Sequence, residues 1–240
     1  MNENLRDLAV AAAGRTLTVA ALIKGAVAVV GVLLVLLIAI VPLFAGSAAT
    51  GTPGSGDAGG TTPCEDCGGP VSDDAIAMAT QLRDGGRLID LPGDYNHVDQ
   101  IYAMIPGDPR AHEWPGCQID VRVLQLLTKL TARYTSVGVS SINRKCSGEL
   151  LGAGVYSAHY ADGGGHAIDL YAINGSVLTG NDTYSRELVT WADGFVPQGS
   201  RTGQIQCRSA NPLPLHTFGQ FVDGCNHVHI DFNRATGDLQ

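Results

Sequence analysis

The chain has 240 residues and a formal net charge of −8, from 23 acidic and 15 basic side chains. Hydrophobic residues make up 45% of the chain, which is enough for a packed core and excludes a disordered acidic segment. Because no basic stripe is present and aromatic residues make up only 6%, we expect no nucleic-acid partner. The length leaves room for one globular domain and additional segments.

An uncharged hydrophobic run covers residues 25–45, after a lead-in that contains three basic side chains. About 20 apolar residues cross a bilayer as a helix, and flanking basic residues stay on the cytoplasmic side. We therefore predict a cytoplasmic tail over residues 1–24, a single transmembrane anchor over residues 25–45, and an extracellular remainder. A cleaved signal peptide is the alternative, because small residues follow the run at positions 45–49.

A segment rich in glycine and proline follows over residues 46–71. This composition is typical of a flexible tether that holds a domain away from a membrane. Beyond it we predict a helical and irregular lead-in over residues 72–116 and the main domain over residues 117–240.

All six cysteines follow the predicted membrane span, where an oxidising compartment favours disulfides. They are Cys64, Cys67, Cys117, Cys146, Cys207 and Cys225. Of the 15 pairings that six cysteines allow, proximity along the chain favours Cys64–Cys67, Cys117–Cys146 and Cys207–Cys225. The C-x-x-C spacing at residues 64–67 has two other interpretations, a zinc knuckle and a redox pair.

Hydrophobic periodicity and turn residues predict the elements of the outer domain. Helices are predicted over residues 73–84, about 120–134 and 185–192. Strands are predicted over residues 137–143, 167–173 and 228–232, with a further segment at 204–208, and residues 85–118 are expected to be irregular. Helices followed by a few strands in one unit indicate an α+β domain, in which we expect a small antiparallel sheet with flanking helices.

Two segments carry side chains suited to metal chemistry. His227 and His229 lie two residues apart on a predicted strand, so they project from the same face. Earlier in the chain, a glycine-rich loop after His159 leads into a strand that contains Asp169. Two imidazoles and a carboxylate are common ligands of transition metals, although the same residues can also be ordinary surface or core polar groups.

These motifs together resemble a known group of enzymes. The pattern Ser-x-His at residues 157–159, Gly-x-Ala-x-Asp at residues 165–169 and His-x-His at residues 227–229 resembles the D-alanyl-D-alanine carboxypeptidase family. That family belongs with lysostaphin-type peptidases and the hedgehog signalling domain in one zinc-peptidase superfamily. The resemblance covers roughly residues 117–232, about half of the chain.

The resemblance implies roles for individual residues. It implies a Zn²⁺ ion bound by His159, Asp169 and His229. Residues 139–144 resemble the family's strand that ends in a substrate-facing arginine, which is Arg144 in this chain. A guanidinium at that position suits bidentate contact with a substrate carboxylate or a developing oxyanion.

The chain departs from the family pattern at two places. Five residues separate His159 from Gly165, where the family usually has two, which makes His166 the alternative ligand. The Glu-x-x-His motif of the carboxypeptidases is absent, so His227 takes the role of general base, as in the His-x-His branch of the superfamily. Asp231 shares the face of the two histidines and is expected to orient an imidazole, or to be a surface carboxylate at the strand end.

Topology and resemblance together predict a membrane-anchored, extracellular zinc peptidase that hydrolyses stem or cross-bridge peptides of peptidoglycan. One alternative is a non-catalytic, zinc-containing module that binds cell-wall peptides. A structural surface protein is a third function class. It would not require the His and Asp side chains to form a site.

Overall fold

The computed structural model describes residues 71–93 and 96–240. The predicted tail, the membrane run, nearly all of the linker, and the first two cysteines lie outside the described residues, so the predictions about them stay predictions. Among the described residues, no helix combines the length and apolar character needed to span a bilayer.

The described chain contains five α-helices, and the three longest begin within two residues of their predicted starts. They are α1 (Asp73–Gly85), α2 (His97–Tyr102), α3 (Val121–Arg133), α4 (Arg144–Ser147) and α5 (Thr183–Asp193). Ser72, Asp120 and Asp182 cap α1, α3 and α5, because each side chain accepts a hydrogen bond from a backbone N–H of the first turn. At its other end, α1 stops at Gly86, whose φ of 60° is a left-handed conformation that glycine adopts freely.

Seven strands in the described part form one mixed sheet. They are β1 (Leu88–Asp90), β2 (Val137–Ser141), β3 (Ala167–Ile173), β4 (Ser176–Val177), β5 (Arg201–Thr202), β6 (Gly219–Gln220) and β7 (Val228–Asp231). The order is β1-β2-β3-β7-β5-β6, and β4 pairs with β3. The α+β class is confirmed.

The sheet was predicted to be small and antiparallel, but it is a mixed sheet. The pairs β1–β2 and β5–β6 are parallel, whereas the remaining pairs are antiparallel. β1 has three residues and β6 has two, which is too short for the alternation of polar and apolar side chains to show in the sequence. A long connection that includes α2 and α3 joins β1 to β2, and parallel pairing requires such a crossover.

Two local predictions also differ from the structure. Residues 85–118 were expected to be irregular, but they contain β1, α2 and a 3₁₀ turn at Pro109–His112. The segment predicted as a strand at 204–208 is a 3₁₀ turn at Ile205–Arg208 instead. The reason is local, because Gln204 has a left-handed φ of 66° and turns the chain away from an extended path.

The two faces of the sheet have different roles. β3 and β7 pair antiparallel, with Ile168 opposite Ile230 and Asp169 opposite His229. Both isoleucines are fully buried in one hydrophobic core with the apolar stripe of α3. Because side chains alternate along a strand, Asp169 and His229 lie together on the other face.

Two disulfides lie within the described residues and confirm two of the three predicted pairs. Cys117–Cys146 joins the segment before α3 to α4. Cys207–Cys225 joins the 3₁₀ turn at Ile205–Arg208 to the loop before β7. Closing loops of this length restricts the unfolded chain and stabilises the fold by about 3 kcal/mol per bridge.

Candidate metal centre

The polar face of the sheet carries the three residues predicted as metal ligands. Asp169 on β3 and His229 on β7 are directly opposite each other in the ladder, and His159 reaches them from the loop before β3. All three are buried, with exposures of 0% for His159, 4% for Asp169 and 6% for His229. Buried polar side chains that converge in this way need partners, either one another or a bound group.

Each of the three residues presents one atom to a common point. His159 Nε2 lies 3.1 Å from Asp169 Oδ1 and 3.3 Å from His229 Nδ1, and the last two atoms are 2.8 Å apart. Ligands of a tetrahedral ion with bonds of about 2.0–2.1 Å lie about 3.3 Å from one another. The spacing and the chemistry of this group therefore fit a metal ion.

The two imidazoles are held by hydrogen bonds on the side away from this point. His159 Nδ1 donates to the carbonyl oxygen of Ile142 at 2.7 Å, so Nε2 carries the free lone pair of the neutral ring. His229 Nε2 lies 3.4 Å from Asp231 Oδ2, which matches the orienting position predicted for Asp231. Asp231 is in turn paired with Arg201 at 2.9 Å. Such contacts select the ring nitrogen that faces a metal.

The protonation states of His159, Asp169 and His229 depend on one another. Burial disfavours the protonated form of His229, but hydrogen bonds to Asp169 and Asp231 outweigh it and raise the pKa of His229 to about 9. Burial also opposes ionisation of Asp169, yet its interactions with His159 and His229 hold the pKa of this carboxyl well below its usual value. Burial lowers the pKa of His159, which favours the neutral ring. The site therefore contains an ionised carboxylate and two imidazoles in close contact. A cation between them, either a proton or a metal ion, stabilises this arrangement.

Arg144 lies beside the carboxylate of Asp169. Its Nη2 is 2.7 Å from Asp169 Oδ2, its Nε donates to Ser141 Oγ at 2.9 Å, and its Nη1 donates to the carbonyl of Leu151 at 3.3 Å. It begins α4, three residues after β2 ends, rather than ending the strand itself. The guanidinium therefore fixes Asp169 with Oδ1 toward the histidines, and its predicted contact with substrate stays a prediction.

His227, predicted as the base, lies at the edge of the same group. Its Nε2 is 3.4 Å from Asp169 Oδ1 and 3.2 Å from Asp223 Oδ2. Its Nδ1 lies 2.9 Å from Asn226 Oδ1. Asp223 was not predicted from the sequence, because it lies in an irregular loop before β7 where no periodic pattern points to it.

Gln204 is a second residue of the site that was not predicted from the sequence. It is fully buried, and its Oε1 accepts the backbone N–H of His229 at 3.2 Å. Its Nε2 lies 3.2 Å from both Asp223 Oδ2 and His227 Nε2. One amide therefore connects strand β7 to the two side chains at the edge of the site.

The long spacer after His159 folds into a compact turn. Residues 161–163 form a 3₁₀ turn, and Gly163, Gly164 and Gly165 all have positive φ. A Cβ on Gly165 would lie 2.5 Å from the carbonyl oxygen of Gln118, so the loop needs glycine at that position. The turn absorbs the extra residues and leaves His159 in the cluster.

His166, the alternative ligand, points elsewhere. Its Nδ1 lies 2.8 Å from Asp120 Oδ2, next to the start of α3. The hydrogen bond to Asp120 is the main cause that raises the pKa of His166. The structure thus brings His159, and not His166, together with Asp169 and His229.

The cluster lies at the floor of an open cleft of about 470 Å³. One wall consists of Arg144 and residues 151–153, and the other consists of residues 221–224. His227 lines the same cleft as the three residues of the buried cluster.

Comparisons of the chain with protein-family models, with curated proteins and with solved structures found no match. No family is assigned to the chain on this basis, and the function is inferred from the residues and their geometry.

Proposed function

We propose that this chain is a membrane-anchored, extracellular zinc peptidase that hydrolyses stem or cross-bridge peptides of peptidoglycan. The observation that carries the proposal is the convergence of His159, Asp169 and His229 at the floor of an open cleft, with His227 beside them. Two imidazoles and one carboxylate, with a position left open, are a ligand set used by catalytic zinc.

His159 Nε2, Asp169 Oδ1 and His229 Nδ1 would hold the zinc ion. When bound, zinc supplies a Lewis acid that lowers the pKa of a water molecule and polarises a peptide carbonyl. Arg144 and Asp231 keep Asp169 and His229 in the orientation that this requires, through the contacts at 2.7 and 3.4 Å.

His227 is the proposed proton carrier. Its side chain lines the cleft and is 14% exposed, and its Nε2 lies 3.4 Å from Asp169 Oδ1 in the buried cluster. It accepts a proton from the attacking water and later donates a proton to the leaving amine. Asp223 Oδ2, 3.2 Å from Nε2, stabilises the imidazolium that forms.

The proposed location and substrate rest on different features. The two disulfides are typical of exported proteins, and the uncharged run at 25–45 provides the anchor. We take the segment at 46–71, rich in glycine and proline, as the linker between the proposed anchor and the domain. The substrate class follows from the resemblance of the sequence motifs to peptidases that act on D-amino-acid peptides.

Digestion of purified muropeptides tests the proposal. Full-length protein should cleave them and release new amino groups, and a chelator should abolish this until zinc is added back. Stoichiometric zinc without cleavage would favour the non-catalytic binding module instead. If the protein neither binds zinc nor cleaves muropeptides, the proposal is wrong.

A further inference from the structure

A second group of side chains suited to a metal ion lines the cleft. It consists of Asp223, His227 and His229, and it shares His229 with the buried cluster. Asp223 Oδ2 is 3.2 Å from His227 Nε2 and 3.9 Å from His229 Nδ1. His227 Nε2 is also 3.4 Å from Asp169 Oδ1.

We infer that this group is a second, weaker position for zinc or a similar divalent transition-metal ion, and that an ion bound there blocks His227. The separations of 3.2 and 3.4 Å around His227 Nε2 are close to the spacing of about 3.3 Å between ligands of a tetrahedral ion. The effect on turnover rests on the proposed function, whereas the binding itself does not.

The sharing of His229 makes the second position the weaker one. A single ring nitrogen lone pair binds one ion at a time, so an ion in the buried cluster removes His229 Nδ1 from the second position. Asp223 and His227 then remain as its own ligands, and Asp169 Oδ1 is near enough to bridge the two ions. Fewer protein ligands and more water in the coordination shell lower the affinity.

The surroundings support an ion that exchanges with solvent. The side chain of Asp223 is 30% exposed, against 6% for Asp169 in the buried cluster. The amide of Gln204 holds both Asp223 and His227, so their ligand atoms stay close together before an ion arrives. The second position is therefore preformed and open to the cleft.

An ion at this position has a direct consequence for the proposed chemistry. It occupies the lone pair with which His227 Nε2 would accept a proton. Zinc at a low concentration fills the buried cluster and supports turnover, and zinc in excess fills the second position and inhibits it.

Titration of the full-length protein with Zn²⁺, followed by calorimetry, tests this inference. The unsubstituted chain should bind one tight and one weaker equivalent. Asp223→Asn should keep the tight equivalent and weaken the second at least about tenfold, because a charged ligand is lost. His159→Ala should weaken the tight equivalent and leave a second-position equivalent. Asp238→Asn, an exposed acidic position, is the matched control and should bind as the unsubstituted chain does.

Two results would overturn the inference. One is a single equivalent at saturation in the unsubstituted chain, and the other is an unchanged second equivalent in Asp223→Asn. The absence of any tight equivalent would instead count against the proposed function, so the two failures can be distinguished. Where muropeptide cleavage is measured, excess zinc should inhibit the unsubstituted chain more than Asp223→Asn, and equal inhibition would contradict the role of this position.

Discussion

Each residue of the candidate centre is held by a contact on the side away from the cluster. The carbonyl of Ile142 holds His159, and Arg144 and Asp231 hold Asp169 and His229. Side chains fixed in this way are arranged before a metal ion binds, so little conformational entropy is lost on binding. Substitution of a metal ligand should therefore remove the bound ion, whereas substitution of a residue that only contacts a ligand should weaken its binding.

His227 separates catalysis from metal binding. His227→Ala should keep tightly bound zinc but lower kcat by about 10²–10⁴-fold, because it removes a general base and no ligand of the buried cluster. Metal analysis and muropeptide kinetics on the same preparation measure both effects. His216→Ala, at an exposed histidine, is the control. Loss of the tight zinc in His227→Ala would show that His227 is itself a ligand of the buried site.

His166 gives a test at a residue outside the centre. Its contact with Asp120 raises its pKa above the unfolded value of about 6.5. The resulting stabilisation is complete below that value and disappears as the pH rises through the raised, folded pKa. His166→Gln should therefore lower the free energy of unfolding at about pH 5.5 more than at about pH 9, as measured by urea denaturation. Equal losses at both pH values would contradict the ion pair.

The sequence predicted the residues of the buried cluster and His227 at its edge, but not Asp223 and Gln204. His229 and Asp169 lie on strands where alternation shows which side chains share a face, and the motif around His159 has a recognisable spacing. Asp223 and Gln204 lie in segments without periodicity. Their positions depend on the left-handed turn at Gln204 and on the disulfide Cys207–Cys225, neither of which leaves a periodic signal.

At the scale of elements, strand pairing and one loop build the site. The register of β3 against β7 places Asp169 opposite His229, and a slip of β7 by one residue would turn His229 toward the core, away from Asp169. The glycine-rich turn then returns His159 to this face. Long elements with clear caps and patterns, such as α1, α3 and β3, were predictable, whereas strands of two or three residues depend on pairing between distant segments.

Gly165 should be intolerant of a side chain. Its φ is +74°, and a Cβ would lie 2.5 Å from the carbonyl oxygen of Gln118. Gly165→Ala should lower the free energy of unfolding by roughly 2–3 kcal/mol and reduce zinc affinity, because backbone strain and a steric clash act together. Gly163→Ala is the matched control, since its φ is also positive but nothing lies within 4 Å of the added Cβ. Similar losses in both variants would show that the contact with Gln118 is unimportant.

At the scale of the whole molecule, the chain combines an uncharged run, a linker and a disulfide-bonded domain. If the run at 25–45 is the anchor that we propose, protease added outside intact cells should digest the protein after residue 46 and spare residues 1–24, because basic residues that flank a membrane span favour the cytoplasmic side. Immunoblotting with antibodies against each end measures this. Recovery of a soluble protein that begins near residue 50 would instead favour a cleaved signal peptide.

The zinc content of the purified full-length chain after dialysis tests the central claim most directly. The measurement compares the unsubstituted chain with Asp169→Ala and His229→Ala, each of which removes one ligand, and with His166→Gln as a control outside the cluster. The account predicts one tightly bound zinc per chain in the unsubstituted protein and in His166→Gln, and none in the two ligand variants. Unchanged zinc content in Asp169→Ala and His229→Ala would contradict it.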